Sequence, residues 1–139
     1  MSSHNASASV QGEDRSNEIE AATADLFHEN NPRRLPHYLD LFELVANETR
    51  FTILYLLREE NGMSAKDLGA ALGKTGNSLH YHLDKLVEKG LVVNWKKSDP
   101  EKHSAYSFYE LSGTGVDLAD ATAGFIENEK HAIESYENK

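Results

Sequence analysis

The side chains with the widest chemical reach in this chain stand close together. Thr75, Asn77, Ser78, His80, Tyr81, His82 and Lys85 bring hydroxyls, an amide, two imidazoles, a phenol and an ammonium into one short stretch. Bond-breaking chemistry would need them paired differently. On a helix His80 and His82, at i and i+2, point about 200° apart and cannot share a metal ion. Adjacent Glu59 and Glu60 diverge by about 100°, too far for a paired acid and base. No nucleophile–base pair or acid–base constellation emerges, so the chain is not expected to be an enzyme. What such groups do well is recognition: hydrogen bonds to a patterned surface, with a cation for a phosphate.

These groups need an element to present them, and Ser64–Leu91 supplies it. Ser64 is a good N-cap, and Asp67 three residues on completes a capping-box-like pair. Leu68, Ala71 and Leu72 follow at helical spacing until Gly73 stops the helix. After Gly73-Lys74-Thr75, with Thr75 as cap, a second helix runs over 76–89 and stops at Gly90. Leu79, Leu83, Leu86 and Val87 form its single apolar stripe. Opposite that stripe, Asn77, Ser78, Tyr81 and Lys85 point outward. Short helix, glycine-containing turn and longer helix with a polar, aromatic and basic outer face is the helix-turn-helix pattern. An ordinary helical hairpin is the plainer reading of this stretch alone.

The next residues favour the first reading. Over 91–111, Leu91–Lys96 and Ala105–Leu111 are β-branched and aromatic runs, the second alternating, around a polar loop over 97–104. A β-hairpin directly after a helix-turn-helix is a wing. Lys96, Lys97, Lys102 and His103 are its cationic groups, and Trp95 is expected to pack beneath it.

Composition sets the bounds. The chain has 139 residues, 39% hydrophobic and 27% charged, enough for one soluble domain. No apolar run approaches a membrane span, and residues 1–12 lack the apolar segment of a signal peptide. Absent cysteine excludes disulfides and thiolate metal sites and suits the cytoplasm, where the chain is expected. The net charge is −9, unevenly placed: −6 over residues 1–60, +2 over 61–105 and −5 over 106–139. The positive block holds the helix-turn-helix and wing, so the local field suits a polyanion despite the acidic body.

In order, residues 1–17 read as a disordered tail. Residues 18–36 read as a short helix ending before Asn30-Asn31-Pro32 and a connector with Arg33 and Arg34. Residues 37–112 read as the helix-turn-helix domain with its wing. A helix over His37–Ala46 carries Tyr38, Leu41, Phe42 and Val45 on one face. Another, capped by Asn47 and apolar nearly all round, should lie centrally in the core. Residues 113–139 read as a last helix whose combined face, with Val116, Ala119, Ala123, Ile126 and Ile133 beside Leu118, Phe125 and Ala132, is wide enough to pack on a second subunit. The fold class is mainly α within α+β, a winged helix-turn-helix with a two-stranded hairpin wing and a C-terminal dimerisation helix.

Over roughly residues 37–130 the chain resembles the ArsR-like family of winged helix-turn-helix transcriptional regulators. Asn47-Glu48-Thr49-Arg50-Phe51-Thr52-Ile53-Leu54 resembles the family's entry into its central helix. Ser78-Leu79-His80-Tyr81-His82-Leu83, with Lys85-Leu86 and Gly90-Leu91-Val92, resembles its recognition helix and exit. Tyr109-Glu110-Leu111-Ser112 with Gly115 resembles its junction with the last helix. The resemblance implies a homodimer that binds operator DNA, double-stranded, and usually represses transcription; no cofactor is expected. Thr75, Asn77, Ser78, His80, Tyr81 and Lys85, with Lys96, Lys97, Lys102 and His103, are then the expected DNA contacts. Many members sense metal through cysteines, absent here, or through paired last helices. For the latter, Asp120, His131 and Glu134 are weak candidates, because Asp120 and His131 lie roughly 16 Å apart along the helix and Leu118 replaces an expected carboxylate. Two alternatives stay open: a metal-responsive repressor using that site, and a winged-helix protein-interaction module, which Asp84 and Glu88 on the second helix keep in view. The residues name no effector.

Overall fold

The computed structural model describes residues 17–138. The expected tail therefore lies almost wholly outside the described residues. The described residues form two compact units, divided between Phe42 and Glu43.

In the first unit residues 17–23 are helical (α1), and a 3₁₀ turn over Ala24–Leu26 takes the place of the last expected turn. The Phe27 and Tyr38 rings stack at 5.6 Å, and Asn31 Nδ2 donates to the Tyr38 hydroxyl at 2.9 Å. Arg34 donates to the Asn31 and Arg33 carbonyls, so its guanidinium is occupied closing the connector. Helix α2, Leu35–Val45, begins two residues before the periodicity predicts. Pro36 explains the difference, since a first-turn residue needs no N–H donor.

The second unit is built around α3, Glu48–Glu60, which places Ile53, Leu54 and Leu57 in the core. Asn47 caps it as expected, its Oδ1 accepting from the Arg50 amide at 3.0 Å. Helix α4, Ala65–Leu72, starts at Ser64, whose Oγ accepts from the Asp67 amide at 3.0 Å, and ends at Gly73 with φ 65°. Helix α5, Gly76–Glu88, buries Leu79, Leu83 and Leu86. Thr75 occupies the cap position of α5 without a side-chain cap bond. Gly76, directly after the cap, is left-handed at φ 60°, so the first turn of α5 departs from regular helical geometry.

Among the described residues the expected two-stranded hairpin carries a third, short strand at its side. Strand β1, Met63–Ser64, pairs antiparallel with β3, Ser104–Leu111, which also pairs with β2, Val92–Asp99, in the order β1-β3-β2. The hairpin strands outrun the predicted ones, leaving a four-residue tip over 100–103. Asp99 Oδ1 accepts from the Glu101 and Lys102 amides, and His103 closes the tip at φ 50°; the aspartate makes a short turn where the sequence reads as a long loop. Val92 and Tyr109 are buried, so the core-facing side of β2 carries Val92, Asn94 and Lys96. Trp95, paired with Phe108, therefore falls on the other side and is 51% exposed, which corrects its expected place under the wing.

Helix α6, Gly113–Glu137, is capped by Ser112, whose Oγ accepts from the Gly115 amide at 3.0 Å. Ala119 and Ala123 are buried where α6 packs against α3, and Arg58 Nε donates to Asp120 Oδ1 at 2.7 Å. Beyond that contact Phe125, Ile126, Ile133 and Tyr136 are all exposed.

Candidate nucleic-acid interface

The outward side of α5 carries the groups that the sequence places there. With Leu79, Leu83 and Leu86 buried, Asn77, Ser78, His80 and Tyr81 are exposed and Lys85 is half-buried. Tyr81 and Lys85, one turn apart, form a unit, with the Lys85 Nζ 5.0 Å from the Tyr81 ring centroid. Such a pair holds an aromatic face and a cation in one orientation, which lowers the entropy lost when either meets a ligand. His80 lies round the helix from that pair, on the side that faces the wing. The helix therefore presents two edges, and the expected contacts divide between them. Thr75 is exposed at the start of the helix with its hydroxyl unused by the cap.

On the wing the four expected groups do not share a face. Lys96 Nζ donates to Ser107 Oγ at 2.7 Å on the core-side face. Lys97 points from the opposite face, its Nζ 3.7 Å above the Phe108 ring. Lys102 and His103 form the exposed tip.

Beside its buried leucines, α5 is held by a contact that sequence periodicity does not reveal. Arg50, in the first turn of α3, donates from Nε to the Leu44 carbonyl at 2.6 Å, and its Nη1 lies 3.1 Å from His82 Nδ1. Guanidinium only donates, so His82 Nδ1 accepts and the ring is neutral. Partial burial, then the positive charges of Arg50, Lys74 and Lys85, hold the His82 pKa below its ordinary 6.5. The residue thus ties α5 to α3. The two positions are 32 apart, and both stand in stretches that resemble the ArsR-like family, which is the signal that could have linked them.

The sign of this shift fixes a pH dependence. A histidine that is neutral in the fold and binds protons more readily when unfolded contributes stability that is complete above pH 6.5 and declines as the pH falls. We expect the melting temperature to drop more steeply between pH 7 and pH 5 in the wild type than in His82→Gln, whose amide can still accept from Arg50. Calorimetry across that range checks this, and parallel pH profiles would refute it.

The metal candidates do not assemble within one chain. Asp120 is bonded to Arg58, and His131 Nδ1 approaches only Glu134, at 3.9 Å with both side chains exposed. Among the described residues no three potential ligands gather.

Comparison with known proteins accords with this geometry. Residues 45–93 match the family model described as a helix-turn-helix domain. A search of curated proteins found no significant match. Among solved structures the chain is similar to an apo double mutant of ZitR from Lactococcus lactis, at 18% identity over 89% of this chain and 81% of that one, with a TM-score of 0.57. It is similar to AntR, an antimony-specific transcriptional repressor, at 18% identity over 76% and 90%, TM-score 0.59. HlyU from Vibrio cholerae shares 26% identity over 70% and 97%, TM-score 0.56. Helix-turn-helix domain, wing and last helix give the chain the winged helix-turn-helix fold of the ArsR-like regulators.

Proposed function

We propose that the protein binds operator DNA as a homodimer in the cytoplasm and represses transcription. The observation that carries this reading is the α5 surface: four exposed polar and aromatic groups and Lys85 on one helix, held by three buried leucines and the Arg50–His82 contact. A helix of this size enters a major groove, where Asn77, Ser78 and Tyr81 meet base edges while Thr75 and Lys85 meet phosphate. Lys96, Lys97, Lys102 and His103 then track the backbone or an adjacent minor groove. AntR, a repressor by description, supports the direction of regulation. No helix of the described residues is long and apolar enough to cross a membrane.

The exposed row Phe125, Ile126 and Ile133 on α6 supports dimerisation, since burying such a row offsets the cost of association. Selection of duplexes from a random pool, followed by sedimentation of the free protein, tests both parts. A single enriched, pseudo-palindromic sequence and a concentration-independent dimer are expected, with Phe125→Asp/Ile133→Asp giving monomer. Absence of any preferred duplex would remove the DNA assignment and favour the interaction module.

A further inference from the structure

Helix α2 carries a second apolar edge that the core does not use. Leu41, Leu44 and Val45 are buried, whereas Leu35 and Leu39, one turn apart, stand on another face, Leu39 about 200° round the helix from Leu41. With Ile19 and Phe27 that edge walls a hollow of about 320 Å³, which lies wholly within the first unit. Its polar groups are Glu20, Thr23 and Arg34. We propose that this hollow binds one free α-amino acid with an apolar side chain, its ammonium held by Glu20 and its carboxylate by Arg34. The site is independent of the DNA reading, since none of its residues is among the expected DNA contacts.

The charges select the head group. Glu20 and Arg34 line one hollow yet do not pair: among the described residues the ion pairs are those of Arg58 and that of His131 with Glu134. Arg34 is held through Nη1, which donates to the Asn31 and Arg33 carbonyls, while Nε and Nη2 have no partner among the described residues. Donors left open on a pinned guanidinium suit a carboxylate. Thr23 Oγ1 donates to the Ile19 carbonyl at 2.9 Å, so its lone pairs are available to an ammonium.

Opposite charges held apart beside an apolar wall fit a zwitterion better than an ion of either sign. A lone anion would meet Glu20, and a lone cation would meet Arg34. Glu29, in an adjoining hollow that shares Glu20, Phe27 and Arg34, is a second carboxylate and further disfavours a lone anion. His28 in that hollow already accepts from the Asn30 amide through Nδ1. A volume of about 320 Å³ stands at the low end for small-molecule sites, room for one compact ligand. The walls are set beforehand, with Phe27 stacked on Tyr38 at 5.6 Å and Asn31 tying the connector to the Tyr38 hydroxyl. Such preformed walls lower the ordering cost of binding.

Titration calorimetry on the full-length protein tests the site, with L-leucine and L-phenylalanine as probes, each beside its amide and its deaminated acid. The tighter amino acid should bind saturably, one per chain, at millimolar concentration or below, and glycine should not bind. The amide lacks the carboxylate and the deaminated acid lacks the ammonium, so each should bind on the order of 10-fold weaker. Arg34→Gln should bring the amino acid down to the affinity of its amide while leaving the amide unchanged, which also shows that the hollow still folds. Glu20→Gln should do the same with respect to the deaminated acid. Leu39→Trp, filling the hollow from a half-exposed position, should abolish binding. No saturable binding of either amino acid would overturn the site, as would equal affinity for amino acid, amide and acid. Binding that survives Glu20→Gln, Arg34→Gln and Leu39→Trp lies elsewhere and equally refutes it. Duplex selection from the random pool is judged apart from all of these outcomes, so failure here leaves the DNA reading standing.

Discussion

Gly115→Ala should lower the stability of the protein by on the order of 2–4 kcal/mol, through overpacking at a site that cannot yield. A Cβ at Gly115 would overlap the carbonyl oxygen of Leu91 and press on Leu111 Cδ2 at 3.3 Å. That carbonyl cannot retreat freely, since it accepts from the Ser112 amide at 3.0 Å while Ser112 Oγ donates to the Gly90 carbonyl at 2.6 Å. The exit of α5, the start of β2 and the first turn of α6 therefore meet at one crowded point. A cost of this size should lower the melting temperature by roughly 10 °C. Gly113→Ala, two residues earlier and facing open space, should be nearly neutral. Thermal melts of the two variants check this, and overlapping curves would show that the junction relaxes.

The second large effect is on recognition. Tyr81→Ala should reduce affinity for the selected operator by about 1–3 kcal/mol per half-site while narrowing the gap to random DNA. Tyr81 is 56% exposed and braces Lys85, so its loss removes a groove contact and releases the lysine without disturbing the core. A dimer with equivalent half-sites should show about twice the single-site loss. Lys97→Ala supplies the contrast: it should weaken specific and random duplexes together and flatten the salt slope. Fluorescence anisotropy at several salt concentrations separates the two patterns. Equal loss on both duplexes for Tyr81→Ala would move that residue to the backbone and leave specificity to Asn77 and Ser78.

The elements that carry recognition are legible in the sequence because their signals are local. The leucine stripe of α5, the caps at Asn47 and Ser64 and the stop at Gly73 each depend on residues within one or two turns. What the sequence conceals depends on register or on distant pairing. Trp95 reads as buried until the pairing of Val92 with Leu111 and Trp95 with Phe108 assigns the faces of the hairpin. Strand β1, two residues long, is too short for any alternation to show. The lysines of the wing read as one patch, yet Lys96 and Lys97 necessarily point to opposite faces. The Arg50–His82 contact and the hollow beside Arg34 join residues from separate elements, and no periodicity spans them.

One helix carries an arginine latch at each end. Arg50 grips α5 through His82, and Arg58, eight residues and roughly 12 Å further along, grips Asp120 and Glu127 of α6. Helix α3 thereby touches both the helix proposed to meet DNA and the helix proposed to meet a second subunit, so a single element sets the spacing between the two.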